Sequence, residues 1–504
     1  MAGVEADAPG AGADDRVTPH SSSTLAPALR ALALTVGIGG LAALASGCLV
    51  GPDFEPPPRD APDAWRAAGE RLAGVGAEES ALAQWWDALG DPLLSELEQR
   101  ASATNRDVAV AEARLREARA RRSSARAGLF PTSSAGGGVA RTRSTGAAFG
   151  GITPPSETRE RYDVSFDASW EIDLFGGLRR GAEAARADFA ASAENLRAVR
   201  IGIAAEVAQA YAETRALQRR LALADENVRA QSETLALTRW RSEAGLTTAL
   251  DVEQARANLE QTRAALPQIR TSLAAATARL AVLVGEPPGA LDAQLAAPAP
   301  VPTPPQLVAV GVPAEALARR PDVARAERQL AAETARIGVA KAQALPRVSL
   351  SGSVGVESLV AGDLFTAASY TSTLVGNLTQ VVLDFGRVRA TIEAQKAVRD
   401  AALAEFEATL LEALEDVENS LVAFAEEELR RDALAAAADA AQLAAQLARD
   451  QYASGLVDFE SVLAAERALF SSQDQLAASE GELAASLVRV YKALGGGWAS
   501  EEAK

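Results

Sequence analysis

Tyr162-Asp163-Val164-Ser165-Phe166-Asp167-Ala168-Ser169-Trp170-Glu171-Ile172-Asp173-Leu174 is the stretch that decides the fold class. Tyr162, Val164, Phe166, Ala168, Trp170, Ile172 and Leu174 fall on one face, and Asp163, Ser165, Asp167, Ser169, Glu171 and Asp173 fall on the other. Unbroken alternation marks a β-strand whose two faces meet different surroundings. The run is longer than the roughly 9–11 residues a tilted strand needs to cross a bilayer. An apolar outer face opposite an acidic inner face is the pattern of a transmembrane barrel strand. A soluble sheet with one wetted face alternates in the same way, so other parts of the chain must arbitrate. Val348, Leu350, Val354 and Val356 alternate with Ser349, Ser351, Ser353 and Gly355 in a second such stretch. Less regular strands are expected near Val139 and over Thr373–Phe385. Four strands cannot close a membrane barrel, and an open sheet edge in lipid leaves backbone groups unpaired. Other copies of the chain must therefore complete it. The strands do not choose between two copies and three.

Working outward, the chain repeats itself. Asp107-Val108 matches Asp322-Val323, Glu112 matches Glu327 and Pro131 matches Pro346, each at an offset of 215. Phe175-Gly176 matches Phe385-Gly386, Val207 matches Val417, Gly245-Leu246 matches Gly455-Leu456 and Gly285 matches Gly495, each at an offset of 210. The slippage falls between Pro131 and Phe175, where Gly, Ser and Thr dominate. Each half reads as helix, β-hairpin, then two helices. In the first, Leu196, Val199, Ile203, Val207, Ala210, Thr214, Leu217, Leu221, Ala224, Val228, Gln231 and Leu235 recur at a mean step of about 3.5, the coiled-coil period. A helix from Gly177 to about Glu243 spans roughly 100 Å at 1.5 Å per residue, more than a compact domain needs. Leu403, Phe406, Leu410, Leu414, Val417, Leu421 and Phe424 repeat the stripe. The expected class is mostly α with a membrane β-barrel: a long coiled-coil helical barrel and four strands per chain.

The expected organisation is a signal segment over 1–47, an extended N-terminal segment over 48–91 and a first repeat over 92–285. A linker over 286–318, a second repeat over 319–497 and a tail over 498–504 follow. Pro287, Pro288, Pro298, Pro300, Pro302, Pro304 and Pro305 should keep the linker extended and non-helical. Arg319-Arg320-Pro321-Asp322 then opens a helix, with proline and an acid where the first turn favours them.

Arg30 precedes an apolar run, Ala31 to Ala45, that is too short to span a membrane. It reads as the core of a secretory signal. Ala45-Ser46-Gly47-Cys48 places small residues before the one cysteine of the chain, as lipoprotein processing requires. The acids at Glu5, Asp7, Asp14 and Asp15 are unusual in a signal and leave open a translation start downstream of Met1. Leu49 follows the cysteine, where an aspartate would retain a bacterial lipoprotein in the inner membrane. Processing would also remove His20, the one histidine. The mature chain would then lack Ser-His-Asp catalysis and any Cys/His metal site. No phosphate-binding loop or cofactor fingerprint stands out, so no enzyme activity, cofactor or metal is expected. A mature charge of about −15 argues against nucleic acid as a partner.

Several motifs carry a family resemblance. They are Cys48-Leu49-Val50-Gly51-Pro52-Asp53-Phe54 with Pro56-Pro57, Trp85-Trp86-Asp87 with Asp91-Pro92 and Leu94, Arg320-Pro321-Asp322-Val323 with Ala326-Glu327, and the endings Leu174-Phe175-Gly176 and Asp384-Phe385-Gly386. With these the chain resembles the outer-membrane factor family, the TolC-like channels, in its NodT/OprM lipoprotein branch. The resemblance covers nearly all of the mature chain. It implies a homotrimer with a twelve-stranded barrel in the outer membrane and a helical tube in the periplasm. It implies a periplasmic adaptor and an inner-membrane efflux transporter as partners, with the transporter supplying the energy. It also implies that the turns at Gly245-Leu246 and Gly455-Leu456 form a periplasmic tip where adaptor hairpins dock. Asp251 and Tyr452 match positions joined across neighbouring helices in the closed state. Where family acids often ring the constriction this chain has Ser461 and Ala464, and Asp458 and Glu460 are the candidate replacements.

A passive efflux duct for small molecules is thus the expected function. Protein secretion and metal efflux are alternatives within the channel class. A structural coiled-coil envelope lipoprotein is the alternative outside it, and amphipathic strands are what such a tether does not need. A hydrolase using paired carboxylates is remote without a compact catalytic domain. Asp163, Asp167, Glu171 and Asp173 are the candidate pore-lining groups, and Cys48 is the candidate lipid site. Each acyl CH₂ buried contributes roughly 0.8 kcal/mol to anchoring. Mass spectrometry of the mature N-terminus should therefore find Cys48 acylated, and Cys48→Ala should leave the protein unanchored or poorly assembled. An unmodified cysteine there would contradict the assignment.

Overall fold

The computed structural model describes residues 49–66, 72–73, 82–144, 157–305 and 308–498. Cys48 and the signal segment lie outside these, as does the tail beyond 498. The chain divides into two units, one built on the segments 132–176 and 346–379 with Leu49, the other on 50–131, 177–345 and the residues from 380 onward.

The first unit is a sheet. Strands β1 (Thr132–Ser144), β2 (Glu157–Ile172), β3 (Arg347–Ser358) and β4 (Tyr370–Thr379) lie side by side in that order, all antiparallel. The register keeps the alternation of the sequence across neighbouring strands. Phe166 faces Ala135 and Val354 on one surface, and Asp167 faces Ser134 and Ser353 on the other. Thr132 pairs with Ser169 in the first hairpin and Arg347 with Thr379 in the second. These partners are related by the repeat offsets, so the slippage falls between the strands of a hairpin and leaves its register unchanged. Two expectations are corrected. β2 stops at Ile172, where the Leu174 amide turns back to the Ile172 carbonyl at 2.9 Å, so Asp173 lies past the strand. The last strand ends at Thr379 rather than Phe385, and Phe385 takes a positive φ of 53°.

The second unit is helical. It holds α1 (Pro92–Thr104), α2 (Arg106–Ala127), α3 (Gly177–Glu243), α4 (Ala249–Leu283), α5 (Pro313–Arg319), α6 (Pro321–Ala342), α7 (Arg387–Ala453) and α8 (Phe459–Ala493). α2 and α6 are both 22 residues, α3 and α7 both 67, and α4 and α8 both 35. Along one stretch the helices pack in the order α4–α3–α8–α7, and along another α2–α3–α6–α7. The stripe on α3 is the core: Val207, Thr214 and Ala224 are fully buried, and Leu221 and Val228 pack against the buried clusters. On α7, Phe406, Val417, Leu421 and Phe424 do the same. The linker departs from the expectation of an extended chain. Asp292–Leu295 forms one helical turn, Pro313 starts α5, and Val308–Ala309 pairs in parallel with Leu72–Ala73. Pro313 stands at the first helical position, where its missing amide costs nothing.

The Arg320-Pro321-Asp322 motif has a structural task. The Arg320 side chain is nearly buried. It donates to Asp322 at 3.0 and 2.6 Å, to Asp416 at 3.0 Å, and to the carbonyls of Ala413 and Ala493 at 3.3 and 3.1 Å. In the first repeat Asn105 holds the same place, its Nδ2 donating to the Leu283 carbonyl at 2.8 Å. Burial pushes the Asp322 carboxyl up, but the hydrogen bonds and charge of Arg320 outweigh this and hold it below the usual carboxylate range. Its contribution is therefore full above about pH 4 and fades as pH falls through the lowered value. Asp322 and Asp416 keep contact with water, so removing Arg320 costs roughly 1–3 kcal/mol, chiefly for the Ala413 and Ala493 carbonyls it leaves unpaired. Arg320→Ala should lower the thermal midpoint clearly, and Arg320→Lys should lower it less. A midpoint unchanged in Arg320→Ala would contradict the role given to this side chain.

Candidate functional site

Three places were singled out in the sequence: the polar face of the sheet, the lipid site and the helix tips. On the sheet, Asp163, Asp167 and Glu171 share one face with Ser134, Ser349, Ser351, Ser353 and Thr373. Ser165 donates to Asp167 at 2.8 Å. The same face carries cations that the sequence reading left out. Arg159 and Arg161 lie at the hairpin end of β2, and Arg161 approaches Asp163 and Glu357 at 3.8 and 3.9 Å. The apolar alternation stops at Tyr162, because Glu160 and Thr158 occupy the other face, so only the period-2 spacing of the two arginines signals their place. Asp173 is not part of this face-defining ladder.

The segment after Cys48 is fixed in place. Leu49 lies against Gly176, where an added Cβ would come within 3.0 Å of the leucine. In the helical unit, Arg180 is 2% exposed and donates to the Val50 carbonyl at 3.2 Å and to Asp53 at 2.6 Å. Gly51 has φ 103° and passes so close to Gly338 that a Cβ would come within 2.5 Å of its Cα. The glycine of this motif thus permits two backbones to touch.

At the tips, Gly245 and Gly455 take φ 72° and 75° and end α3 and α7 in the same way. The Leu246 amide reaches the Arg241 carbonyl and the Leu456 amide reaches the Gln451 carbonyl, both at 2.8 Å, which closes each helix with a left-handed cap. Leu246 and Leu456 are 67% and 75% exposed. Thr248 caps α4 in a reciprocal box with Asp251, and Asp458 caps α8 by accepting from the Ser461 amide at 3.0 Å and its hydroxyl at 2.7 Å. The acid stands three residues after the cap in the first repeat and at the cap itself in the second. Glu460 lies exposed in the first turn of α8.

The expected tie between Asp251 and Tyr452 is not made within the chain. Asp251 is taken up locally, accepting from the Thr247 hydroxyl and from the Thr248 amide at 3.0 Å. The Thr247 bond, opposed by slight burial and aided by Thr248, holds its carboxyl below the usual range. Tyr452 is 4% exposed, and among the described residues its hydroxyl has no partner. Its ring packs edge-on to Phe459 at 5.5 Å and lies under the Arg241 guanidinium at 4.6 Å. Arg241 also donates to the Tyr452 and Ala453 carbonyls at 3.0 and 3.2 Å, a cation at the negative end of α7. The local sequence Thr248-Ala249-Leu250-Asp251 signals the cap. No local signal links Arg241 to a helix end 211 residues away.

With this geometry in hand, likeness to known proteins is informative. The model of the outer membrane efflux protein family matches residues 97–286 and 312–496. The chain is 33% identical over 422 residues to the pyoverdine export outer membrane protein OpmQ of Pseudomonas putida, covering 83% of this chain and 89% of that protein. It is 33% identical over 473 residues to outer membrane protein OprJ of Pseudomonas aeruginosa, covering 93% and 95%. The solved outer-membrane channel OprN is similar with a TM-score of 0.84 and 35% identity, over 90% of this chain and all of that one.

Proposed function

The chain belongs to the outer membrane efflux protein family, in its NodT/OprM type, and from that premise we propose that three copies close around one pore as the passive exit duct of a tripartite pump. One observation carries the reading. Each chain holds a repeat-to-repeat contact inside it and lacks the same contact at its edge. β2 of the first repeat pairs with β3 of the second, and among the described residues β1 and β4 have a strand on one side only. The intramolecular β2–β3 pairing, carried through the repeat offsets, supplies a register for β4 on β1 of the next copy. Asp163 opposite Glu357 becomes Thr373 opposite Thr142. The helices argue the same way. α3 is flanked on both sides within the chain, whereas α7 is not. Ile201 on α3 is 6% exposed and Ala212 2%, while their equivalents on α7, Leu411 and Val422, are 67% and 49% exposed. A next copy would cover them.

The anchor in this reading is a lipid on Cys48. The partners are a periplasmic adaptor at the helix tips and an inner-membrane transporter that supplies the energy and selects the cargo. The helical part lies in the periplasm. Asp163, Asp167 and Glu171 line the lumen, each three times per trimer, with Arg159 and Arg161 beyond them. Rings of acid concentrate cations and lose this power as salt screens them. Planar-bilayer recordings under a salt gradient should give a reversal potential of cation-preferring sign at low salt. Asp163→Asn with Asp167→Asn should shrink it. A protein that inserts no channels would overturn the duct, and anion preference at low salt would overturn the lumen assignment.

A further inference from the structure

The internal repeat allows position-by-position comparison of the two helix tips, and they differ where they are most exposed. Trp240 on α3 is 69% exposed, and the residue 210 further on is the exposed acid Asp450 on α7. Leu250 on α4 is 65% exposed, and its counterpart on α8 is the exposed acid Glu460. Between them the two tips keep the same exposed leucine, Leu246 and Leu456. Over 239–256 the sequence has Arg239, Arg241 and Arg256 with Glu243, Asp251 and Glu253, although Arg241 reaches across to Tyr452 at the end of α7. Over the equivalent 449–466 Arg449 stands alone against Asp450, Asp458, Glu460 and Glu466. Glu466 is buried and bonded to Arg449 and Thr234, which leaves three exposed acids, Asp450, Asp458 and Glu460, at a tip to which the first repeat lends Arg241.

The exposure is not that of a face awaiting another copy. α3 already has α4 and α8 beside it, yet Trp240 stays exposed. α8 already has α3 and α7 beside it, yet Glu460 stays exposed. In a closed ring α7 acquires the neighbours of α3, and α4 those of α8, so Asp450 and Leu250 inherit the same exposure. A large aromatic residue and two leucines held in water at a charged helix end are what a partner surface offers.

We infer that each chain presents two chemically different docking tips to its periplasmic adaptor: an apolar one formed by Trp240, Leu246 and Leu250, and an acidic one formed by Asp450, Leu456 and Glu460. This rests on the proposed duct. The fitting partner is a helical hairpin with an apolar side chain over the shared leucine in both sites. It meets the first tip through further apolar surface and the second through lysine or arginine. A ring of three chains then alternates the two kinds of site, so adaptor copies around it are not equivalent.

The test uses the full-length channel in detergent and the purified adaptor that supports efflux with it in cells, with binding measured across a salt series. Trp240→Ser with Leu250→Ser should weaken binding about tenfold at every salt concentration and leave the salt dependence of wild type. Asp450→Asn with Glu460→Gln should weaken it about tenfold at low salt and converge on wild type near 0.5 M salt, where the screening length is only a few ångströms. All four side chains are exposed, so both variants should keep the wild-type oligomer and helix content. Equal salt responses in the two variants, or no weakening in either while wild type binds, would overturn the inference. Failure of wild type to bind would overturn the proposed adaptor docking instead.

Discussion

A backbone amide or carbonyl left unpaired in hydrocarbon costs several kcal/mol, and the rest of this molecule answers to that cost. Among the described residues the four-stranded sheet has a strand on only one side of β1 and of β4, and in lipid such edges would each be a ladder of unpaired groups. Among the described residues the sheet already uses the strands of both hairpins in sequence order. Closure needs partner strands with the same face pattern and the same register. The most economical source is another copy, and the repeat supplies it. A chain whose first hairpin already pairs with its second carries the geometry for pairing its second with the first of a neighbour.

The helices obey the same logic in water, where the currency is apolar area rather than unpaired amides. α3 sits between neighbours and buries its stripe, while α7, equal in length and position in the repeat, leaves Leu411, Val422, Leu429, Leu443 and Leu447 exposed. At roughly 25 cal/mol per Å² of apolar surface, such a face favours association along its whole length. Polar groups set the register. Arg320 and Asn105 satisfy carbonyls at equivalent helix ends, and the bidentate Arg220–Asp474 pair at 2.7 and 3.0 Å ties α3 to α8.

Much of this was legible in the sequence, for identifiable reasons. The bounds of α3 could be read because Gly176-Gly177 and Gly245 punctuate a stripe of period 3.5. The faces of β2 and β3 could be read because alternation is a local property of a strand. What failed was set by contacts the local pattern does not contain. Asp173 continues the alternation, yet a three-residue turn has already ended the strand. Within the chain Asp251 is held by the nearest donors, Thr247 and Thr248, rather than by Tyr452. The contact that does hold Tyr452 comes from Arg241 on another helix, which only the fold brings near. Pro287, Pro288, Pro298, Pro300, Pro302, Pro304 and Pro305 favour an extended linker. Pro313, at a helix start, favours the opposite.

The central claim is that the repeat inside one chain dictates how copies join, and the edge strands allow it to be tested directly. Thr373→Cys and Thr142→Cys are introduced together, oxidised in the membrane and resolved without reductant. The account predicts interchain disulfides between β4 of one copy and β1 of the next, with a ladder of covalent species that ends at three chains. Pairing Thr373→Cys with Ala140→Cys, two residues out of register, should bridge far less. Absence of interchain bridging in the first pair, equal bridging in the shifted pair, or a ladder ending at any number other than three would contradict it.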